Sequence, residues 1–488
     1  MQLSKKTYTG YREYPEKVLQ FGEGNFLRCF VDWMFHRLNQ KALFNGSVVA
    51  VQPIDKGMVN LLNEQDGLYT VYLRGLKNGR AESTHETVDV ISRGINPYVD
   101  FAAYLQTAKN ADMRYVISNT TEAGISYNDA DQPTDAPPTS FPGKLAVWLH
   151  HRYEAFAGDN TKGIHIIPCE LIEKNGDNLK KIILQLAQRW NYSDGFVAWL
   201  QTACTFSNTL VDRIVPGYPA ERLAEISGEL GYEDKQVVEG EPFHLWVIEA
   251  SEALQKELPF SSAGLNVLYV NDITPYRTRK VRILNGAHTT LVPVAYLYGI
   301  NTVREAVEDK VVGTFLRNAI FEEIIPTLDL PKEELEQFAG EVVDRFRNPY
   351  IKHQLMSIAL NSWSKFETRV LPSILEYQKR RGSIPEHLAF SMAATMAFYK
   401  GKRGEESIAL NDDAAMLSLL KNAWEGADGS AASIQELVTN VLGYEKNWKT
   451  NLNNVEGLNE AVTSHLIHIE KYGIGEAIKQ IKAKAALA

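Results

Sequence analysis

The N-terminal 50 residues combine, in order, a short apolar run, a pair of glycines, a helical pattern and a second apolar run. The apolar runs are residues 18–21 and 48–51, and the glycines are Gly22 and Gly24. Between the runs, apolar residues recur at helical spacing over residues 25–44. A strand, a glycine turn, a helix and a second strand form the opening βαβ unit of a dinucleotide-binding domain. This order restricts the possible folds more than any other segment of the chain.

The glycine turn indicates where a dinucleotide binds. The backbone at Gly22 and Gly24 can approach a pyrophosphate, and the amides at the helix start favour its negative charge. Leu27 stands where a third glycine is expected, so the helix packs less closely on the strand than in the standard form. A turn that merely needs positive φ is the alternative interpretation of this motif. We expect the cofactor contacts to come from the residues of this turn, which are Phe21, Gly22, Gly24, Asn25 and Phe26.

The segment after the second apolar run bears on which cofactor is used. An acidic residue is expected there to bind the ribose hydroxyls. Asp55 is the candidate, although it follows the run by a few residues. No arginine lies in this segment to receive a 2′-phosphate, and Lys56 is the only cation nearby. The expected cofactor is therefore NAD rather than NADP.

Further along the chain, strand-like runs alternate with helical patterns as far as about residue 275. This alternation predicts an α/β fold: an N-terminal Rossmann-like domain with a mostly parallel sheet, over residues 1–275. After that point helical periodicity dominates, for example over residues 315–325, 351–360 and 389–399. We therefore predict a mostly α-helical C-terminal domain, with catalytic and substrate-binding roles, over residues 276–488.

Composition narrows the classes of partner. The net charge of −9, without a Lys/Arg block, argues against nucleic acid, because phosphate binding needs a positive patch. The polar first 17 residues do not resemble a signal peptide, and no apolar run approaches the roughly 20 residues that span a bilayer. Three widely spaced cysteines are typical of free thiols in a reducing compartment. We expect a cytoplasmic protein whose partner is a small molecule.

The segment from Lys280 to Thr289 is the richest in chemistry. On an α-helix, at about 100° per residue, Lys280, His288 and Asn285 lie at roughly 0°, 80° and 140°, on one side. Oxidation of an alcohol needs a base for the hydroxyl proton and donors that steady the oxygen as it becomes a carbonyl. A lysine whose charge is disfavoured by burial can be that base. An amphipathic helix with its polar face in water is the alternative, although Asn-Gly is a poor pair inside such a helix.

Together, the glycine turn and the lysine segment resemble the polyol-specific long-chain dehydrogenases, the mannitol dehydrogenase family. The motifs are Phe21-Gly22-Glu23-Gly24-Asn25-Phe26-Leu27-Arg28 and Lys280-x-Arg282-x-Leu284-Asn285-Gly286-x-His288-Thr289. Further segments support the likeness over essentially the full length: residues 118–124, 166–170, 175–177, 209–214 and 345–353.

The resemblance implies an N-terminal Rossmann-like domain, a helical C-terminal domain, an active site formed between them, and NAD(P) without a metal. It implies that Lys280 is the general base, that Asn285 donates to the oxyanion and that His288 contacts substrate. Asp212 and Lys365 match residues near the substrate in the family. Asn119 and Thr120, in one of the supporting segments, are expected to contact the cofactor.

Two departures from the family pattern concern substrate recognition. Polyol members carry Cys-Asp-Asn where this chain has Cys169-Glu170-Leu171, so a second oxyanion asparagine is missing, and Asn175 is the candidate replacement. Ser357 stands where members acting on neutral polyols carry an arginine, which favours a different substrate. We expect a sugar-derived acid, with a general polyol substrate as the alternative. The candidate contacts to its carboxylate are Lys352, His353 and Lys365.

Three rival interpretations are weaker. Tyr276 and Lys280 form the YxxxK pair of short-chain dehydrogenases, but they lie much further from the glycine turn than in that class. Zinc-dependent oxidation is disfavoured because no Cys/His group has ligand spacing. A nucleotide-sensing protein without catalysis has no need of Lys280, Asn285 and His288 on one helical side.

Overall fold

A computed structural model describes residues 1–77, 79–121 and 123–485 of the chain. It divides into two compact units. The first comprises Met1–Gly75 and Glu82–Ile273, and the second comprises Leu76–Ala81 together with the chain from Thr274 onward. The main division therefore falls two residues before the predicted boundary at 275/276.

The strands of the first unit form a large parallel sheet and two small sheets. In chain order they are β1 (Glu16–Phe21), β2 (Ser47–Val51), β3 (Tyr69–Lys77), β4 (Arg80–Val88), β5 (Ile91–Ile95), β6 (Tyr115–Ser118), β7 (His165–Pro168), β8 (Thr205–Phe206), β9 (Thr209–Asp212), β10 (Val238–Gly240), β11 (Leu245–Glu249) and β12 (Val267–Val270). The large sheet has the order β5-β2-β1-β6-β7-β8, and every pair in it is parallel. The small sheets have the orders β10-β3-β4 and β12-β11-β9. The predicted Rossmann-like fold with a mostly parallel sheet is confirmed.

Helices of the first unit cover both faces of the large sheet. They are α1 (Asn25–Leu27), α2 (Trp33–Gln40), α3 (Val59–Glu64), α4 (Phe101–Gln106), α5 (Phe141–Ala155), α6 (Asn175–Arg189), α7 (Asp194–Thr202), α8 (Leu223–Leu230) and α9 (Glu252–Glu257). Alternate residues of β1 enter two separate cores: Val18 lies in one, and Leu19 and Phe21 lie in the other. A strand buried on both faces shows a nearly continuous apolar run, which is why β1, interrupted only by Gln20, and β2 are recognisable in the sequence.

The strand order fixes where a ligand can bind to the large sheet. Chain connections from β1 lead to β2 on one side, and β6 pairs with β1 on the other. In doubly wound sheets this reversal of direction opens a crevice at the carboxyl ends of the strands. The segments that follow these three strands, at residues 22–24, 52–58 and 119–121, meet at this edge.

The predicted helix over residues 25–44 is interrupted and shorter. It consists of α1, a π-helical turn at Arg28–Asp32 and α2, which ends at Gln40. Beyond it Ala42 and Asn45 have positive φ (55° and 50°), which ends the helix before the predicted limit.

The second unit is mostly helical, as predicted. Its α-helices are α10 (Thr274–Arg279), α11 (Gly286–Tyr298), α12 (Val303–Glu308), α13 (Val312–Asn318), α14 (Lys332–Phe346), α15 (Leu355–Ile358), α16 (Ser362–Arg369), α17 (Leu371–Arg381), α18 (Glu386–Phe398), α19 (Ala414–Glu425), α20 (Ala431–Leu442), α21 (Glu445–Trp448), α22 (Leu458–Tyr472) and α23 (Ile474–Ala485). Two π-helical turns, Lys280–Asn285 and Ala319–Ile324, lie among them. A short hairpin joins β13 (Lys402–Arg403) to β14 (Glu406–Ser407). Nearly every residue of α18 is buried, so this helix lies in the core of the unit.

One predicted helix of this unit is wrong over part of its length. The sequence pattern predicts a helix over residues 351–360, but only Leu355–Ile358 is helical. Val303 N donates to His353 O (3.0 Å), and Leu355 N donates to Asn301 O (2.9 Å). These backbone bonds hold residues 351–354 against the segment that leads into α12. Among the described residues, no helix is long and apolar enough to cross a membrane.

Candidate functional site

The glycine turn of the first unit requires glycine at its first position. Gly22 has φ +120°, and a Cβ atom there would lie 2.9 Å from the carbonyl oxygen of Asn119. Gly22 N donates to Val51 O (3.0 Å), and Asn119 N donates to Phe21 O (3.0 Å). The turn after β1 is therefore fastened to both neighbouring strands, and Asn119 lies against it as expected for one binding site.

Gly24 differs from Gly22 because its backbone is ordinary. Its φ is −71°, and a Cβ atom there would meet no other atom within 4 Å. The helical run begins at the next residue, so its first amides lie beside Gly24 and have no acceptor within the helix. Free amides beside an open backbone suit a pyrophosphate, so the residues of this turn fit a dinucleotide.

The neighbouring predicted cofactor contacts are only partly available. The Phe21 side chain lies in the core against Tyr104 and Phe141, so only its backbone lies at the turn. The half-buried Phe26 ring stacks on Phe30, with ring centroids 5.0 Å apart. Asn25 Oδ1 accepts a hydrogen bond from Arg28 Nη2 (2.7 Å).

Two charged residues of the turn, which the sequence analysis did not single out, fix its shape. The buried Arg28 donates to the carbonyls of Glu23 and Gln236. Glu23 Oε1 accepts from Met58 N (3.0 Å), which links the turn to the segment after β2. In that segment Asp55 is exposed. Gln52 Nε2 donates to the carbonyls of Ile54 and Asp55 and thereby fixes this segment.

A buried carboxylate holds the segment after β6. Glu170 accepts hydrogen bonds from Thr120 N, Thr120 Oγ1 and Ser118 Oγ, each 3.0 Å long. Burial raises its pKa, and the hydrogen bonds from Thr120 and Ser118 oppose that rise. Asn119 Nδ2 also donates to Cys169 O (2.8 Å). Glu170, where polyol members carry aspartate, therefore positions two of the expected cofactor contacts, a role that no sequence pattern indicated.

The prediction that Asn175 contacts substrate is not supported by its geometry. Its side chain is fully buried. Nδ2 donates to the carbonyls of Pro168 and Glu170, and Oδ1 accepts from Gly176 N and Thr209 N. These bonds tie β7, α6 and β9 together and leave no atom of the amide for a ligand.

Asp212 is the remaining candidate of the first unit. It is the last residue of β9 and pairs in register with Leu245 of β11. Its side chain is 5 % exposed. Its family role near the substrate stays a prediction.

In the second unit, the lysine segment is not the α-helix that the sequence analysis assumed. Lys280–Asn285 is a π-helical turn, and α11 begins at Gly286. In a π-helix the backbone bonds join residues five apart, so Lys280 and Asn285 lie closer to one face than α-helical geometry gives. Single π-helical turns inside α-helices are frequent at functional sites. Among the described residues, the Asn285 side chain has no hydrogen-bond partner.

His288, on the first turn of α11, is held between two rings. It stacks on Phe346 with centroids 4.1 Å apart and meets the edge of His353 at 5.2 Å. Burial holds its pKa well below the usual range, and the nearby His353 and Arg345 lower it further. Its buried Nε2 atom has no hydrogen-bond partner within the described part of the chain. The imidazole is therefore neutral, with one nitrogen available to a ligand.

The three candidate contacts for a carboxylate differ in their surroundings. Lys352 is exposed. His353 packs against His288, and burial lowers its pKa. The half-buried Lys365 donates from Nζ to Ile358 O (2.9 Å), and burial, followed by the charge of Arg369, lowers its pKa.

Two arginines that the sequence analysis missed lie in the same part of the unit. Arg282 is on the π-helical turn, and burial lowers its pKa to about 10. Arg369 ends α16, one turn after Lys365, and burial lowers its pKa too. The spacing of four residues from Lys365 was the available signal in the sequence. Among the described residues, no cluster of three or more His, Cys, Asp or Glu side chains is arranged to hold a metal ion.

Comparison with known proteins places both units in one family. The model of the mannitol dehydrogenase Rossmann domain matches residues 16–262, and that of the mannitol dehydrogenase C-terminal domain matches residues 272–470. Among curated relatives, the altronate oxidoreductase of Bacillus subtilis is 49 % identical and covers 98 % of both chains. The altronate oxidoreductase of Phocaeicola vulgatus is 47 % identical over 99 % of this chain and 100 % of its own.

Solved structures share the fold at lower identity. A substrate-free D-sorbitol dehydrogenase has a TM-score of 0.82 at 22 % identity, covering 98 % of this chain and 100 % of its own. Mannitol 2-dehydrogenase of Pseudomonas fluorescens, in a ternary complex with NAD and D-mannitol, has a TM-score of 0.68 at 22 % identity, covering 99 % of this chain and 100 % of its own. On these matches to both of its domains, the chain belongs to the mannitol dehydrogenase family of oxidoreductases.

Proposed function

We propose that this chain is an NAD-dependent altronate oxidoreductase, also called tagaturonate reductase, which interconverts D-tagaturonate and D-altronate. The proposed chemistry depends mainly on the π-helical turn Lys280–Asn285, which brings the side chains of Lys280 and Asn285 towards one face of the helix. The neutral His288 follows on the next helical turn. The identity of 49 % and 47 % to two altronate oxidoreductases, over nearly the full length, supports the choice of substrate.

The first unit would hold NAD. The open space at Gly24 suits the pyrophosphate, and Gly22, with its positive φ and no side chain, lets the turn lie close to Asn119. Asp55, exposed after β2, is our candidate for the ribose hydroxyls. When bound, the nicotinamide exchanges a hydride with the carbinol carbon next to the terminal CH₂OH of altronate, which is the ketone carbon of tagaturonate.

The second unit would handle the proton. In oxidation, Lys280 Nζ, as the neutral amine, takes the hydroxyl proton; in reduction, the ammonium returns it to the carbonyl oxygen. Asn285 Nδ2 donates a hydrogen bond to that oxygen as its charge develops. The unpaired Nε2 of His288 binds a neighbouring hydroxyl. Because the pKa of His288 is low, its imidazole does not compete with Lys280 for the proton and serves to orient the substrate.

We also propose a cytoplasmic location. The three cysteines, Cys29, Cys169 and Cys204, are free and buried, which is compatible with a reducing compartment.

The test is a comparison of substrates, following NADH absorbance with the purified full chain. Tagaturonate should be reduced with a higher kcat/KM than fructuronate, tagatose or fructose. A preference for fructuronate would make this a mannonate-forming relative. Reduction of a neutral ketose as efficiently as tagaturonate would make it a general polyol dehydrogenase and contradict the proposal.

A further inference from the structure

Positive charge is concentrated around His288 in the second unit. The groups whose charges lower the pKa of His288, after burial itself, are His353, Arg345, Arg369 and Lys365. Two of them, Lys365 and Arg369, lie one helical turn apart on α16, and Arg369 lowers the pKa of Lys365. Like charges at this spacing repel each other, and a bound anion would relieve that repulsion.

Arg369 lies directly beside the lysine segment. A Cβ atom added to Gly286, which follows Asn285, would be 3.1 Å from the carbonyl oxygen of Arg369. The carboxyl end of α16 therefore packs closely against the start of α11, where Asn285 and His288 are found.

Arg369 lacks a partner among the described residues, in contrast to Arg380 on the next helix. Over residues 1–77, 79–121 and 123–485, its half-buried guanidinium makes no hydrogen bond and no ion pair. Arg380, on the next helix, is bonded to both Glu376 and Asp329. Burying part of a charge without a partner costs free energy, and a bound anion would reduce that cost.

One acid, Asp412, acts on the charge of Lys365, and its carboxylate already accepts hydrogen bonds. Asp412 raises the pKa of Lys365, against burial and Arg369. Its Oδ2 atom accepts hydrogen bonds from Tyr399 Oη and from Trp363 N. Burial lowers the pKa of Arg369, and Asp412 does not oppose that shift.

We propose that the guanidinium of Arg369, assisted by Lys365, binds the carboxylate of the sugar acid and sets the preference for acids over neutral sugars. This inference rests on the proposed function and names the residue that recognises its substrate. The planar guanidinium can bind a carboxylate with two parallel hydrogen bonds, which a lysine cannot do. Of the candidates from the sequence, Lys352 is exposed and His353 packs on His288, so only Lys365 is retained.

The experiment measures kcat/KM with NADH for tagaturonate and for tagatose, which carries CH₂OH in place of the carboxylate. The variants are Arg369→Gln, Arg369→Lys and Lys365→Gln. Arg381→Gln is the matched control, because Arg381 is likewise the last residue of its helix, α17. A charge-assisted contact predicts that Arg369→Gln lowers kcat/KM for tagaturonate by about 10- to 150-fold. The loss should appear mainly in KM, and kcat/KM for tagatose should stay within about twofold.

Arg369→Lys should restore part of the loss, Lys365→Gln should cause a smaller one, and Arg381→Gln should behave as wild type. Stabilisation of each variant by altronate, followed as a rise in Tm, gives a second readout without turnover. If the ratio of kcat/KM for tagaturonate to kcat/KM for tagatose is unchanged in Arg369→Gln and Lys365→Gln, this inference is overturned, and the proposed function is not affected. Equal losses on both substrates would assign Arg369 a structural role and also overturn it. A wild-type enzyme that does not reduce tagaturonate would overturn the proposed function and this inference together.

Discussion

At the level of single residues, the proposed chemistry depends on which polar atoms the fold already uses. The side chains of Asn175 and Glu170 form hydrogen bonds with backbone groups and hydroxyls of their own unit. Asn285 and the Nε2 atom of His288 have no such partners among the described residues. Asn175 and Glu170 therefore stabilise the structure around the proposed site, whereas Asn285 and His288 are available to a substrate.

Replacing the proposed base should stop turnover without loosening the cofactor. Lys280→Ala should reduce kcat by about 10²–10⁴-fold, the usual contribution of a general acid or base. The Kd for NADH, measured by fluorescence titration, should barely change, because the predicted cofactor contacts belong to the first unit. Tyr276→Phe is the matched control and should be mild. Near-normal turnover in Lys280→Ala would remove the lysine from the mechanism, and a severe loss in Tyr276→Phe would favour the short-chain mechanism instead.

The two glycines of the turn should respond differently to alanine. Gly22→Ala places a side chain at φ +120° and 2.9 Å from Asn119 O, so it should lower Tm; the strain is of order 1–3 kcal/mol. Gly24→Ala meets no protein atom within 4 Å and should leave Tm unchanged while raising the Kd for NADH. Thermal unfolding and NADH titration of both variants check this. Equal behaviour of the two variants would show that the turn does not bind the cofactor as proposed.

Residue types were easier to predict from the sequence than residue roles. Lys280, Asn285 and His288 stand out because a short motif brings three chemically useful groups together. Asn175 looked equally useful, but its amide is bonded to both β7 and β9, and the bond to Thr209 of β9 spans 34 residues of the chain. Arg369 was missed because its spacing from Lys365 was the one signal in the sequence, whereas its lack of a partner among the described residues is visible only in the fold.

At the level of elements, local irregularities carry the site. The π-helical turn before α11 brings Lys280 and Asn285 towards one face, whereas the α-helical geometry assumed from the sequence does not. The extended segment over residues 351–354, predicted as helix, brings His353 to His288 through backbone bonds to Asn301 and Val303. The strands β1 and β2 were predictable because burial on both faces leaves a nearly continuous apolar run. The irregular segments were not, because partners about 50 residues away decide their conformation.

The link between β7 and the segment after β6 predicts a coupled effect on stability and cofactor binding. Glu170→Ala would leave the donors of Ser118 and Thr120 without their acceptor, at roughly 1–3 kcal/mol for each buried group left unpaired. Tm should fall, and the Kd for NADH should rise as Asn119 and Thr120 lose their support. Glu170→Gln keeps an acceptor for Thr120 and should be milder. Wild-type Tm and Kd in Glu170→Ala would contradict this positioning role.

For the whole molecule, average properties predicted the class of the chain but not its local charges. The alternation of elements indicated the parallel sheet and the helical second unit. The net charge of −9, however, gave no sign of the cations gathered around His288. Composition averages over the surface, whereas substrate recognition depends on a few side chains that the fold brings together.

Stability should depend on pH through a buried histidine of the first unit. Burial lowers the pKa of His36, but its bonds to Asp89 and Glu86 outweigh that effect and raise the pKa to about 9. Because the pKa of His36 is raised in the folded state, its contacts with Asp89 and Glu86 stabilise the fold fully below the unfolded pKa of about 6.5. That stabilisation, about 3 kcal/mol, is lost as the pH rises through 9. Unfolding of wild type and His36→Gln at pH 6 and pH 10 checks this, since the variant should show a smaller decline. Parallel declines would remove His36 as the cause.

The most direct test of the proposed activity follows the transferred hydrogen itself. The full chain is incubated with tagaturonate and NADH that is deuterated at the transferred position, and the product is identified by NMR. We expect altronate with one deuterium on the carbinol carbon next to the terminal CH₂OH group. Deuterium at another carbon, an unlabelled product or no reduction of tagaturonate would contradict the assignment of this chain as an NAD-dependent altronate oxidoreductase.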